Sequence, residues 1–233
     1  MIIFLDLDGT LTHTTHSYFK RMKDGINETD VSLIRKYVFP GALNFIEEQL
    51  LLGNKLYIIS DSHPNYVKAI AEQIFDLPYL SLADKPNDQK TRNFIQSTPG
   101  LKEAFHNKDN FILVGDSWLD IALGRLLNIR TVLAKLYAST EVEARDGIGD
   151  DWKPMKEGPT YYAYDFIELA NIVSNPLGNL LALEAVFQGK TTSKAVKFKF
   201  QKHANGGFTA FRCLARQDDG ECDKYARADK YFQ

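Results

Sequence analysis

The chain has 233 residues, 44 % of them hydrophobic, enough for one sizeable core plus an appendage. A formal net charge of −2 provides no global field of the kind that marks a nucleic-acid or membrane-surface protein. Two cysteines, Cys213 and Cys222, are too few for a disulfide framework and point to a reducing cytosol, and no apolar stretch approaches a membrane span. Short apolar runs then alternate with longer helical patterns, which predicts an α/β protein with a parallel sheet. The first strand is Ile2 to Leu7; its opening run of four apolar residues is too short for a signal peptide. A polar, partly helical stretch follows from Thr12 to Phe39 and closes at Pro40-Gly41. Residues 42–52 carry Leu43, Phe45, Ile46, Leu50 and Leu51 at helical spacing, with Gly53-Asn54 as the stop. Lys55 to Ile59 reads as the second strand, and Pro64 starts a helix bearing Val67, Ile70, Ala71 and Ile74. A third strand at Tyr79 to Leu82, a helix near Thr91 to Gln96 and a fourth strand at Phe111 to Val114 come next. A helix at Trp118 to Leu127 and a fifth strand at Arg130 to Ala134 follow. A polar connection near residues 139–158 leads to a strand at Tyr161 to Tyr164 and a helix at Asp165 to Val173.

Three strands end in polar signatures: Asp6-Leu7-Asp8-Gly9-Thr10, Ser60-Asp61-Ser62 and Gly115-Asp116-Ser117-Trp118-Leu119-Asp120. In an extended segment Asp6 and Asp8 share one side, and Gly9 permits a sharp exit. Like charges this close repel unless a cation or a substrate group intervenes. Parallel strands would bring all three ends to one edge of the sheet, where ligands bind in open α/β folds. Carboxylates with a Ser and a Lys suit phosphoryl chemistry supported by a hard divalent cation such as Mg²⁺. Lys85, in Asp84-Lys85-Pro86, and Lys90 compete for the lysine position. Ser60-Asp61-Ser62 also reads as a plain helix cap before Pro64.

These residues resemble the motifs of the haloacid dehalogenase (HAD) superfamily of aspartate-nucleophile hydrolases. Asp6 to Thr12 matches the first motif, Ile58-Ile59-Ser60 the second, Lys85-Pro86 the third, and Gly115 to Asp120 the fourth. The resemblance covers residues 1–174 and implies a Rossmann-like core, a Mg²⁺ cofactor and a phosphatase acting on a phosphate monoester. It implies that Asp6 attacks phosphorus and that Asp8 serves as general acid and base. It places Mg²⁺ on the Asp6 and Asp116 carboxylates and the Asp8 carbonyl, with Asp120 as an outer ligand or as the group that orients Lys85. Thr10, Ser60, Asp61 and Lys85 are expected to contact the phosphate. The second acid, Asp8, argues for esters over dehalogenation. An HAD scaffold used only for binding or regulation is the non-enzymatic alternative.

The insertion at 12–39 has room only for a small flap, whose His13, His16, Tyr18, Lys20, Arg21 and Lys23 could meet a second anionic group or simply face water. A metal on His13 and His16 would need further ligands. Residues 175–233 lie outside the resemblance and hold ten Lys and Arg against six Asp and Glu. They predict an apolar helix at 177–187, then a strand at 195–201 with Val196, Phe198 and Phe200 alternating against Lys197, Lys199 and Gln201. A turn at Asn205-Gly206-Gly207 leads into Phe208 to Leu214. Lysines interleaved with aromatics suit a single-stranded nucleic acid, hence a polynucleotide-end phosphatase; edge protection or a hairpin paired across a homodimer are the alternatives. Cys213, Cys222 and His203 fit no standard zinc spacing. The whole reads as a cytoplasmic enzyme.

Overall fold

The computed structural model describes residues 1–134, 136, 160–163 and 165–174, together with the backbone of three further strands at 198–202, 208–216 and 222–227. Six parallel strands form one sheet: β1 (Ile2–Leu5), β2 (Lys55–Ile59), β3 (Tyr79–Leu80), β4 (Phe111–Gly115), β5 (Arg130–Ala134) and β6 (Tyr161–Ala163). Their order is β3-β2-β1-β4-β5-β6. The strands are near-continuous apolar runs because both sheet faces are covered. Ile3 and Leu5 point into one core with Leu56, Ile58, Ile112 and Val114, while Ile2 and Phe4 point into the other with Tyr57, Ile59, Phe111 and Leu113.

The first core is roofed by α3 (Ala42–Leu51), α4 (Pro64–Ile70) and α8 (Phe166–Ser174), and the second by α5 (Gln89–Ser97), α6 (Leu101–Ala104) and α7 (Trp118–Leu126). Between Thr12 and Phe39 the flap carries a 3₁₀ turn at Ser17–Phe19 and two short helices, α1 (Lys20–Lys23) and α2 (Val31–Arg35). Its base is pinned where the His13 amide donates to the Tyr37 carbonyl at 2.7 Å and the Phe39 amide to Leu11 at 3.1 Å. The His63 amide, at the entry to α4, donates to the Lys23 carbonyl at 2.7 Å and ties α1 to the core.

Most predicted bounds hold to within two residues, and the departures have local causes. β1 stops at Leu5 because the amides of Leu11 and Thr12 turn back onto the Leu7 carbonyl. β3 is only two residues long, and Leu82 beyond it sits at φ 47°. α4 runs on as a π-helical turn, Ala71–Phe75, ended by Asp76 at φ 50°.

The tail forms an antiparallel sheet, β7 (Phe198–Lys202), β8 (Phe208–Arg216) and β9 (Cys222–Arg227). β9 was not expected: its short polar sequence has little alternation, and pairing with β8 supplies its order. Residues directly opposite share a face, so Phe198, Phe200 and Lys202 lie with Arg212, Ala210 and Phe208. Lys199 and Gln201 lie with Phe211 and Thr209, so the expected alternation holds, while Lys202 and Arg212 add basic positions to the face of Phe198 and Phe200. The predicted helix at 177–187, the connection at 139–158, the turn at 205–207 and His203 lie outside the described residues. Among the described residues no helix is long and apolar enough to cross a membrane.

Candidate active site

The strand order reverses at β1, where the chain proceeds to β2 on one side and β4 lies on the other. That switch point is where open α/β sheets leave a crevice outside their strand ends. Leu5 pairs with Ile58 and Val114, which sets Asp6 level with Ile59 and Gly115, so Ser60 and Asp116 leave their strands one residue further along the same edge. The Asp6 amide extends the ladder by one bond, to the Val114 carbonyl at 2.8 Å. Two glycines keep the crevice open. Gly9 sits at φ 93°, and a Cβ there would lie 2.2 Å from Asp116 Oδ2; a Cβ on Gly115 would lie 2.1 Å from Asp120 Cγ.

Lys85 reaches into this crevice from the loop after β3. Its Nζ donates to Asp6 Oδ1 at 2.6 Å, to Asp120 Oδ1 at 2.6 Å and to the Ile59 carbonyl at 3.3 Å. All three side chains are nearly buried, at 5 %, 9 % and 1 % exposure for Lys85, Asp6 and Asp120. Burial works against the Lys85 cation, yet the charges of Asp120, Asp6 and Asp61 outweigh it and hold the ammonium above its ordinary range. Asp6 is pushed well above the usual carboxylate range by burial, against the pull of Lys85 and with added repulsion from Asp120 and Asp116. Asp120 Oδ2 accepts from the Ser117 amide at 3.2 Å and the Ser117 hydroxyl at 2.7 Å, a reciprocal cap at the start of α7. Asp120 thus meets Lys85 with one oxygen and Ser117 with the other.

Asp8 faces a separate group of hydroxyls. Its Oδ1 accepts from Thr14 at 2.5 Å and Tyr66 at 2.8 Å, and its Oδ2 accepts from Ser62 at 2.8 Å. The Thr14 and Thr12 hydroxyls lie 2.7 Å apart. Ser62 belongs to the strand-end signature Ser60-Asp61-Ser62 without an assigned contact, and Thr14 and Tyr66 were not singled out in the sequence. The only available signal was the density of hydroxyls flanking the first two motifs.

The remaining expected residues divide. Thr10 is buried, its hydroxyl 3.4 Å from Asp6 Oδ2. Ser60 is 1 % exposed and its Oγ accepts from the Ser62 amide at 3.1 Å, which leaves its own proton available to a ligand. Asp61 is exposed and accepts the Lys85 amide at 2.9 Å, so in this geometry it fixes the lysine loop. Lys90 donates outward to the Leu82 carbonyl at 2.9 Å. His13 stacks on Phe39, and His16 Nδ1 caps the turn at Tyr18; neither joins a metal-binding group among the described residues. Arg21 turns to Asn27 and Lys20 to Asp24. Trp118 is 53 % exposed, a rim position and not a core one.

Asp6, Asp116 and Asp120 offer carboxylate oxygens within 4.8 Å of one another. Lys85 is the cation that meets two of them, so a further positive charge fits the cluster, and an all-oxygen donor set suits Mg²⁺.

No model of a known protein family and no curated protein matches this sequence. Solved structures do match. A predicted phosphoglycolate phosphatase from Haemophilus somnus 129PT aligns over 73 % of this chain and 96 % of its own, at 16 % identity and a TM-score of 0.50. A predicted phosphatase from Clostridium acetobutylicum aligns over 75 % of this chain and 98 % of its own, at 17 % identity and a TM-score of 0.51. The chain shares the α/β fold of these two structures. At such identities the likeness carries the fold, and the chemistry has to come from the side chains. On this scaffold they are the carboxylates, serine and lysine gathered at the ends of β1, β2 and β4 and in the loop after β3.

Proposed function

We propose that the protein is a Mg²⁺-dependent phosphatase that hydrolyses a phosphate monoester through an aspartyl-phosphate on Asp6. The observation that carries this reading is the placement of buried Asp6 at the switch point, held by Lys85 and clustered with Asp116 and Asp120. A carboxylate oxygen of Asp6 attacks phosphorus, the P–O bond to the alcohol breaks, and the departing oxygen takes a proton from Asp8. Asp8 then accepts a proton from water, whose oxygen displaces Asp6 and yields inorganic phosphate. Ser60 donates to a phosphate oxygen, and Lys85 balances negative charge between Asp6 and the phosphate. Mg²⁺, held by Asp6, Asp116 and the Asp8 carbonyl, would neutralise charge on the transferring group. Asp8 is what suits the site to esters.

The test is a screen of nucleotides, sugar phosphates, phosphoamino acids and phosphorylated oligonucleotides with Mg²⁺, using Asp6→Asn as control. Phosphate release that Asp6→Asn abolishes supports the reading; release at equal rates from both, or from neither, refutes it and favours a binding scaffold.

A polynucleotide end is the second reading, supported by the register that groups Phe198, Phe200 and Phe208 with Lys202 and Arg212 on one face of the tail sheet. Salt-dependent binding of short oligonucleotides, lost when those two cations are replaced, is its test. A homodimer formed through the same strands would appear as a doubled mass in sedimentation.

A further inference from the structure

We infer that Tyr66, on α4, is a positioning residue for Asp8 and sets the efficiency of proton transfer to the leaving oxygen. The inference rests on the phosphatase reading above. Tyr66 is 0 % exposed, so its ring is held by the core and its hydroxyl has one direction to point. That hydroxyl donates to Asp8 Oδ1 at 2.8 Å across 58 residues of sequence.

The two oxygens of Asp8 are not equivalent. Oδ1 carries two donors, buried Tyr66 and Thr14, and is the anchored oxygen. Oδ2 carries the partly exposed Ser62 and is the oxygen with a lone pair left for a reacting group. Two donors on one oxygen fix both the carboxylate's position and its rotation about χ2, which a single bond would not do. A general acid works only when its proton lies within hydrogen-bond reach of the departing atom. Tyr66 supplies that placement from a rigid element, since α4 is itself tied to the flap through His63 and Lys23.

The consequence is a dependence on the leaving group. Esters of weakly acidic alcohols need the proton in the transition state, whereas p-nitrophenolate departs with little help. Wild type, Tyr66→Phe, Asp8→Asn and the double variant are assayed with Mg²⁺ on aryl phosphates ranging from p-nitrophenyl to unsubstituted phenyl. For Tyr66→Phe, kcat on phenyl phosphate should fall about tenfold or more while the loss on p-nitrophenyl phosphate stays below about threefold, with KM kept. In the Asp8→Asn background Tyr66→Phe should cost nothing further. Equal losses across the series, no loss at all, or a further loss in the Asp8→Asn background would overturn the assignment. A wild type that is inert on every ester overturns the phosphatase reading and this one together. An active wild type matched by Tyr66→Phe overturns this one alone. Thermal unfolding of the variants separates a loss of fold from a loss of placement.

Discussion

A methyl group on Gly9 would stand 2.2 Å from Asp116 Oδ2, so the loop leaving β1 and the carboxylate ending β4 occupy adjoining space with no allowance for a side chain. Gly9 also holds φ 93°, where an L-residue is strained by about 1–3 kcal/mol. Gly9→Ala should therefore lower stability by about that amount and displace Asp116. Mg²⁺-supported turnover should fall more than about 100-fold, while a neutral change at the solvent-facing Gly53 leaves it intact. Melting curves and kcat at saturating Mg²⁺ check both halves.

Lys85 and Lys90 should separate cleanly. Lys85→Gln leaves Asp6 and Asp120 buried without their cation, a class of change that costs about 3–5 kcal/mol. Lys90→Gln removes an exposed bond to a carbonyl and should stay within about 0.5 kcal/mol. The folded-state pKa of Lys85 lies above the ordinary 10.5, so its stabilisation is complete below that value and declines as pH rises through the folded-state one. Wild-type stability should thus show an alkaline decline above about pH 10.5 that is shallower in Lys85→Gln, where only the buried tyrosines contribute.

Asp6 carries the opposite sign. Its folded-state pKa is raised above 3.8, so its contribution is complete below that value and is lost as pH climbs through the folded-state one. In metal-free buffer above pH 3.8 the buried carboxyl group is therefore a net cost to stability. Asp6→Asn should abolish turnover yet raise Tm in EDTA, with the difference shrinking as pH is lowered towards 4. A lower Tm for the variant would mean that pairing with Lys85 outweighs burial.

Chelation should remove activity, and Mg²⁺ should restore it. Bound Mg²⁺ should also stabilise the wild type, by about 2.7 kcal/mol at a hundred times its Kd. Asp116→Ala should abolish that thermal shift, because it removes one of the three clustered carboxylates. Calorimetric titration with and without EDTA reads the outcome.

Asp6 and Asp116 were legible because each follows an unbroken apolar strand with a glycine close by, Gly9 after the one and Gly115 before the other, signals that lie within a few residues. The same locality explains why β2 and β5 match their predicted bounds. Locality also explains what was missed. β9 has little pattern of its own and depends on β8 for its pairing, and the placing of Arg212 beside Phe198 depends on a register that neither strand declares alone.

The sequence by itself determined the strands of the parallel sheet, their polar ends and the kind of chemistry those ends suit, because period and turn composition are short-range properties of the backbone. Only the tertiary structure decided which lysine meets Asp6, that Asp61 accepts the Lys85 amide, that Asp120 meets Lys85, and that the Tyr66 hydroxyl reaches Asp8. Those are contacts between residues 24 to 79 positions apart, and they exist only once burial has closed the chain around them.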